Sequence, residues 1–358
     1  MDASVEAVER LLLSLARQGL QRLTESSEAE IRATAQRARF GGLIRVERQL
    51  EALATVAGRY RVRDPLFRTS QLASTLNRAW LLTRAVRRLR DAGVTPGVEI
   101  LGELRRTYVE VEQPLEVRAL SAAGWVTDSD FVGITVTVRA GEELLQIVNA
   151  KPTMYFGEQP ERLLWQPLTA QVPHAIGELA HGAWTLTGAR RSADGRLSLH
   201  QGLRVEPAPD QGRAAYAGIE AATWASIVDR LRESTVDPVG AGASALVYVE
   251  PRRWGPVTVD DTAAQLRQPL WDPTGARLWL QLPLASHTRL WVDNLQALAR
   301  GDAPRPNAIV GEARIAGGEL QLAPQTAVYF DAVELRGRPP RRVHEVHLGL
   351  ESLERVRR

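Results

Sequence analysis

The spacing of apolar residues changes near residue 95, and this change divides the chain into two kinds of structure. Up to about residue 93, apolar side chains recur at intervals of three and four, which is the period of a helix with one buried face. Beyond Pro96, apolar and polar residues alternate, as they do in strands with one buried face. We therefore predict an α+β protein in which an antiparallel helical bundle precedes β structure.

Helix-capping chemistry predicts where the helices of this bundle begin. Ser4 can cap a first helix, and Ser27 with Glu30 has the spacing of a capping box for a second. A third helix follows with apolar residues at regular helical spacing. Asp64 followed by Pro65 has the chemistry of an N-cap and a first helical position. The sequence therefore predicts a bundle of four helices, the last of which is long.

The alternating region predicts ten short strands and one short helix. The helix is expected at Ala221 to Glu233, between two groups of strands. The strands are expected at residues 108–112, 116–119, 132–138, 144–148, 184–188, 196–200, 245–250, 278–282, 290–292 and 318–322.

A spacing of 123 residues relates two hairpins in this region. Gly188 and Gly195 recur as Gly311 and Gly318, and three aliphatic positions after them, Leu197, Leu199 and Val205, recur at the same spacing as Leu320, Leu322 and Val328. Further hairpins are expected upstream of each copy, at 134–148 and 278–292. We interpret the two halves as related β modules that arose by duplication; chance similarity of strand-turn-strand segments is the alternative.

These patterns predict a tandem domain organisation in which each β module has the size and strand count of a small Greek-key barrel or sandwich. The expected segments are a basic helical bundle at 1–95, a first β module at 97–218, a short helix and linker at 219–239, a second β module at 240–345 and a basic C-terminal tail at 346–358.

Charge is divided unevenly along the chain, although the total is only +3. Residues 1–96 carry 17 arginines against 10 acidic residues, whereas the remainder carries 28 basic and 32 acidic residues. This asymmetry favours either an anionic partner for the bundle or electrostatic docking of the two parts. A preference for arginine over lysine can also follow from genomic composition alone.

Several kinds of chemistry are excluded by composition. The chain has no cysteine, which rules out disulfides, thiolate metal sites and cysteine nucleophiles. Its one lysine, Lys151, lies before a proline, so a phosphate-binding loop of the Gly-Lys-Ser type is absent. We find no nucleophile elbow and no metal-ligand spacing, and we expect no cofactor, no metal and no catalytic residue.

The histidines and paired carboxylates offer weak alternatives. His344 and His347 would share one face of a helix but would point to opposite sides of a strand, and we expect them at the surface or at an edge. Asp128 with Asp130 and Asp260 with Asp261 lie in turn-like stretches, where solvated carboxylates are common. A metal-independent hydrolase, with Asp and His in a cleft between the β modules, is the hypothesis that these residues leave open.

Two groups of residues are candidates for binding a polyanion or a protein partner. Arg84, Arg87 and Arg88 lie three and four residues apart on the fourth helix and would form one positive face, for which the sequence offers no convincing local acidic partner. In the second β module, the adjacent residues Arg252, Arg253 and Trp254 combine cations with an aromatic ring. A solvated helix face and core tryptophans are the structural alternatives.

One stretch of the fourth helix, from Arg68 to Leu89 (RTSQLASTLNRAWLLTRAVRRL), carries a resemblance, together with the Trp-Thr-Leu-Thr-Gly hairpin at 184–188. It resembles uncharacterised bacterial proteins encoded beside SWIM zinc-finger proteins and MoxR-type ATPases. The resemblance covers about a third of the chain and implies membership of a multi-component system. It carries over no functional residue, and without cysteines this chain would be a companion of the zinc-finger protein.

These observations predict a non-enzymatic binding or adaptor protein with a protein partner in a multi-protein bacterial system. The alternative is a nucleic-acid-binding protein that uses the arginine face of the fourth helix and the aromatic residues of the β modules. Because the N-terminus lacks a signal sequence and no apolar stretch is long enough to span a bilayer, we expect a cytoplasmic protein without membrane contact.

Overall fold

A computed structural model of the 358-residue chain describes residues 2–64, 67–104, 107–127, 129–168, 174–200, 202–209, 211–233, 244–330, 334–335 and 343–357. These residues belong to two compact units. The first unit contains the described residues up to 104, and the second contains the described residues from 107 onward. None of the described helices is long and apolar enough to cross a membrane.

The first unit is the predicted helical bundle. Its helices are α1 (Asp2–Gln18), α2 (Glu25–Phe40), α3 (Ile44–Arg61), α4 (Thr69–Asp91) and the single-turn α5 (Val98–Leu101). The apolar stripes that the sequence pattern predicted form one core, which includes Val8, Leu12, Ile31, Leu50, Leu53, Leu82 and Val86. Burial of these stripes stabilises the bundle, because it removes apolar surface from water.

The helix starts differ from the predicted caps. Helix α1 begins at Asp2, before Ser4. The capping box of α2 is formed by Thr24 and Ser27, because the Thr24 hydroxyl accepts a bond from the Ser27 backbone N–H, while Glu30 takes no part. Helix α4 begins at Thr69, five residues after Asp64, and Pro65 lies outside the described residues.

The second unit contains two five-stranded barrels and two longer helices. Its single-turn helices are α6 (Thr153–Phe156) and α7 (Ile176–Leu179), and its longer helices are α8 (Trp224–Glu233) and α9 (Arg289–Arg300). The strands of the first barrel are β1 (Tyr108–Glu110), β2 (Leu115–Val126), β3 (Phe131–Ala140), β4 (Glu143–Pro152), β5 (Ala183–Thr187), β6 (Arg190–Ser192), β7 (Arg196–Leu197) and β8 (Arg204–Ala208).

The first barrel is a closed ring of five strands, and three of these strands are each interrupted into two shorter segments. The first strand of the ring consists of β1 and β2, the fourth of β5 and β6, and the fifth of β7 and β8. Strands β3 and β4 are the second and third. The third and fifth strands are parallel and the other neighbours are antiparallel. The ring order is therefore first, second, third, fifth, fourth and again first.

The second barrel has the same order. Its strands and the short strands beside it are β9 (Glu220–Ala221), β10 (Ser244–Val249), β11 (Arg253–Trp254), β12 (Thr258–Asp260), β13 (Gln265–Trp271), β14 (Arg277–Pro283), β15 (Ala308–Ala316), β16 (Glu319–Phe330), β17 (Glu334–Leu335), β18 (Val343–His347) and β19 (Val356–Arg357). The segment from β10 to β12 is the first strand of the ring, and β13, β14, β15 and β16 are the second to fifth.

The two hairpins related by the 123-residue spacing occupy equivalent places in the two barrels. Each joins the fourth strand to the fifth, and each fifth strand runs parallel to the third. Gly188 separates β5 from β6, and Gly311 lies at a β-bulge of β15, so both glycines mark an irregularity in the fourth strand. An origin by duplication is consistent with this order and stays an interpretation.

Two predictions for the β region are wrong, and a third is wrong in part. Residues 290–292 belong to helix α9, not to a strand, so the predicted hairpin at 278–292 is replaced by β13–β14. The expected tail at 346–358 is not exposed in its described part, because Leu348 and Leu353 are buried in the core of the second barrel. His344 and His347 lie on β18 as the strand alternative predicted, and β18 is an edge strand because it pairs with β16 alone among the described strands, but both side chains are buried and not at the surface. The predicted linker residues 234–239 and Asp128 lie outside the described residues.

Candidate nucleic-acid interface

The second and third strands of the second barrel present an alternating outer surface. On β13 and β14, the leucines point into the barrel, while Arg267, Trp271, Arg277 and Trp279 are partly or fully exposed. The antiparallel register places Trp271 opposite Arg277, and Trp279 opposite Pro269. Since every second side chain of a strand points to the same face of the sheet, these four residues lie on one surface.

A tight turn fixes this register. The Asp272 carboxylate accepts bonds from the backbone N–H groups of Thr274 and Ala276, both at 2.9 Å, and from the backbone N–H of Trp224 at the start of α8. Gly275 completes the turn with a φ of +87°, a conformation that glycine adopts without strain. The turn therefore holds Trp271 and Arg277 at facing ends of their strands.

Arginine side chains stack on both tryptophans. The guanidinium carbon of Arg253, on β11, lies 3.8 Å from the centre of the Trp271 ring. Those of Arg267 and Arg277 lie 4.2 and 4.7 Å from the centre of the Trp279 ring. We refer to Arg253, Arg267, Trp271, Arg277 and Trp279 as the Arg–Trp face.

The charge of the Arg–Trp face is only partly neutralised. Arg267 forms an ion pair with Glu319 at 2.5 Å. Within the described part of the chain, Arg253 and Arg277 have no acidic partner within ion-pair distance. On the neighbouring strands, exposed Arg314 donates to Gln321, and the backbone of Gln321 pairs with Trp279. The surface is thus cationic and aromatic across four strands.

The first barrel lacks such a surface at the equivalent place. Its second and third strands, β3 and β4, contain one arginine and one lysine, Arg139 and Lys151. Arg139 donates to the backbone carbonyls of Ala214 and Ala217. Trp125 lies over Gly133 and donates to the Thr135 hydroxyl at 2.9 Å. The stacked arrangement therefore distinguishes the second barrel from the first.

The predicted site residues of the second barrel are separated by the structure. Arg252 and Arg253 are exposed, and Arg253 joins the Arg–Trp face. Trp254 instead lines a cleft beside the face, near the end of α9. Trp291, two residues after Arg289, is buried in the core of the barrel.

The arginines of α4 do not form the free positive surface that the sequence suggested. Arg84 and Arg87 both lie near Glu9 of α1, at 3.5 and 2.8 Å, and are partly buried, whereas Arg88 is exposed. The sequence offers these arginines no convincing local acidic partner, and the partner of Arg84 and Arg87 comes instead from a helix distant in sequence.

The histidine and carboxylate residues between the two barrels form a buried network. Arg118 of β2 pairs with Glu345 of β18 at 2.5 Å, and each side chain is 3% exposed. The Tyr216 hydroxyl donates to the same carboxylate at 2.7 Å, and burial, followed by the charge of Glu345, raises the pKa of Tyr216 well above its ordinary value. This buried network joins the two barrels.

One part of this network has the residue types of a metal site. His181, His347 and Glu351 are buried and offer ligand atoms within 4.8 Å of one another. However, both ring nitrogens of His347 are already in hydrogen-bond contact, with the Thr326 hydroxyl at 2.9 Å and the Ala180 carbonyl at 3.0 Å. His347 could bind an ion only by giving up one of these contacts, so the arrangement fits a structural network better than a metal centre.

Sequence reasoning identified Arg253 but missed the other four residues of the Arg–Trp face. The signal was present, because polar and aromatic residues alternate with leucine in 265–271 and 277–283. It was obscured on β13 by Pro269 and by Gln268, a polar residue at an inward position.

Comparison with known proteins agrees with this architecture. The model of the YehQ four-helical bundle domain matches residues 2–102, and that of the YehQ C-terminal OB-fold domain matches residues 215–339. No curated protein matches the chain.

Among solved structures, similar ones include the Ifi202 HINa domain in complex with 20bp dsDNA (12% identity, TM-score 0.29, covering 60% of this chain and 93% of that one). Others are p202 HIN1 in complex with 12-mer dsDNA (11% identity, TM-score 0.30, covering 62% and 92%) and the p204 HINb domain (10% identity, TM-score 0.30, covering 60% and 93%). At these scores the structural likenesses carry no argument about function. The two matched models show that the chain joins a four-helical bundle domain of the YehQ type to a YehQ-type C-terminal OB-fold domain.

Proposed function

We propose that this protein binds single-stranded nucleic acid through the Arg–Trp face of its OB-fold domain. The observation that carries the proposal is the stacking of three arginines on two tryptophans, on the outer surface of the second and third strands. In OB-folds, this is the surface on which oligonucleotides and oligosaccharides bind.

The chemistry of the face suits a single strand. Bases stack on aromatic rings with little dependence on sequence, and arginines nearby contact the phosphates. In the free protein, the guanidinium groups cover the indole rings. A base that stacks on the same ring would displace the guanidinium toward a phosphate, so both components of the face would contribute to binding.

The adaptor hypothesis ranks second. The uneven charge and the resemblance of the α4 region to proteins of multi-component systems favour it, but within the described chain no surface is as chemically specific as the Arg–Trp face. A nucleic-acid-binding protein can also act within such a system, so the two hypotheses are compatible. A cytoplasmic location stays a prediction.

The tryptophans provide the first test. We expect replacement of both Trp271 and Trp279 by Leu to weaken binding of a fluorescent 15-nucleotide dT oligomer, measured by anisotropy. Stacking contributes about 1–3 kcal/mol per base, which corresponds to roughly 5- to 150-fold for each ring. Trp165→Leu is the matched control, because Trp165 is 50% exposed but lies in the first barrel.

The arginines provide the second test, through the dependence of affinity on salt. Each phosphate contact to a single strand contributes about 0.7 to the slope of log affinity against log salt. We expect the double variant Arg253→Gln, Arg277→Gln to lower this slope by about 1.4, and Arg191→Gln in the first barrel to leave it unchanged. The proposal is overturned if the wild-type protein binds neither single-stranded DNA nor RNA at low salt, or if the face variants bind like wild type.

A further inference from the structure

A cleft of about 230 Å³ lies beside the Arg–Trp face and is used by none of the interactions described above. It is bounded by strand β11, strand β13 and the C-terminal end of α9. Its lining residues are Trp254, Gly255, Pro256, Gln268, Leu298, Ala299 and Arg305. The cleft therefore combines an indole ring, apolar side chains, one buried amide and one exposed cation.

The cleft and the Arg–Trp face meet at Gly255. The backbone N–H of Gly255 donates to the Pro269 carbonyl at 2.8 Å. A Cβ at this position would lie 2.5 Å from Pro269 Cγ and 2.9 Å from Trp271 Cη2, so the glycine packs directly against the face. Gly255 therefore belongs to the lining of the cleft and also contacts Trp271 of the face.

Gln268 supplies the polar group of the cleft. Its side chain is 3% exposed, and its Nε2 donates to the Gly255 carbonyl at 2.9 Å. Among the described residues, its Oε1 has no hydrogen-bond partner. A buried acceptor without a partner is destabilising, and an N–H donor on a ligand in the cleft would remove part of that cost.

We infer that this cleft binds one nucleobase that carries an exocyclic amino group. An amino group offers the donors that the Gln268 amide oxygen lacks, as on cytosine, adenine or guanine, whereas the corresponding group of thymine is a carbonyl acceptor. The indole of Trp254 lies beside the base, and Arg305 at the rim is placed for its phosphate. The inference rests on the proposed function, since the strand must first occupy the Arg–Trp face.

The test compares two pyrimidine oligomers, dC15 and dT15, so that ring size and stacking are nearly matched. We expect the wild-type protein to bind dC15 about fivefold more tightly than dT15, the effect of one hydrogen bond of about 1 kcal/mol. Ala299 is exposed on α9 at the cleft, so Ala299→Phe should fill the cleft without disturbing the core. This variant should bind dC15 and dT15 equally and bind dT15 like wild type.

Ala73→Phe is the matched control, because Ala73 is exposed on helix α4 of the bundle. It should retain the wild-type preference, while Gln268→Met, which lacks the acceptor, should lose it. If the wild-type protein binds both oligomers equally, or if Ala299→Phe keeps the preference, the inference is wrong and the proposed function stands. If the wild-type protein binds neither oligomer, the proposed function itself fails.

Discussion

Two ion pairs of the second unit show how burial decides the contribution of a charged residue. Arg118–Glu345 and Arg191–Glu143 have nearly equal lengths, 2.5 and 2.6 Å. The side chains of the first pair are each 3% exposed, while those of the second are 47% and 59% exposed. A buried charge that loses its partner cannot be solvated by water, whereas an exposed one is solvated at once.

We therefore predict a large difference between two equivalent substitutions. Arg118→Met should lower the free energy of unfolding by about 3–5 kcal/mol, because it leaves the Glu345 carboxylate buried beside the Tyr216 hydroxyl. Arg191→Met should lower it by at most about 1 kcal/mol. Urea denaturation of both variants measures these changes. Equal losses in the free energy of unfolding would show that the buried pair does not stabilise the contact between the barrels.

Asp272 should make stability depend on pH. Burial alone would raise the pKa of this carboxyl, but hydrogen bonds from the Thr274 hydroxyl and from the backbone N–H groups of Trp224, Ala276 and Thr274 outweigh it and lower the pKa below 3.8. A carboxyl with a lowered folded-state pKa contributes stability above 3.8 that is lost as the pH falls through the folded value.

The variant Asp272→Asn isolates this contribution. At pH 7 its free energy of unfolding should be lower than that of wild type by about 1.5–3 kcal/mol, which is the contribution of hydrogen bonds to a charged group. The difference between the two proteins should shrink as the pH is lowered from 5 to 2. A difference in the free energy of unfolding that stays constant over this range would contradict the lowered pKa of Asp272.

At the scale of secondary-structure elements, the sequence predicted the bundle well, because each helix buries a single stripe at regular spacing. Helix α9 was missed for a physical reason. Leu290 and Val292 alternate like a strand, but Trp291, Leu295 and Leu298 repeat at helical spacing and are the residues that are buried. The partners of α4 were missed because Glu9 lies more than 70 residues away, and a contact of that range leaves no local pattern.

The arginines of α4 should therefore act mainly within the bundle. We predict that replacing Arg84, Arg87 and Arg88 together by Gln destabilises the bundle. Arg84 and Arg87 form ion pairs with Glu9, whose side chain is only 13% exposed and would lose both partners. The same variant should leave the salt dependence of single-strand binding unchanged. A salt slope lowered by about 2 would show instead that these arginines contact phosphates.

At the scale of the whole molecule, the 123-residue spacing pointed to two hairpins that occupy equivalent places. The period change near residue 95 precedes the start of β structure, because helix α5 (Val98–Leu101) still belongs to the first unit and β1 begins at Tyr108. The site itself could be predicted only in part. Its residues come from β11, β13 and β14, and closure of the barrel brings them together, so no single motif records the surface. The buried network of His181, Glu345 and His347 is likewise assembled from both barrels.

The most direct test of the Arg–Trp face is a map of where a bound strand touches the protein. A single-stranded oligomer containing 5-iodouracil is crosslinked by light to the full-length protein, and the crosslinked peptides are identified by mass spectrometry. Because base stacking places the oligomer on Trp271 and Trp279, the crosslinks should fall within residues 252–283, and the Trp271→Leu, Trp279→Leu variant should lose them. Crosslinks confined to the helical bundle or to the first barrel would contradict the account.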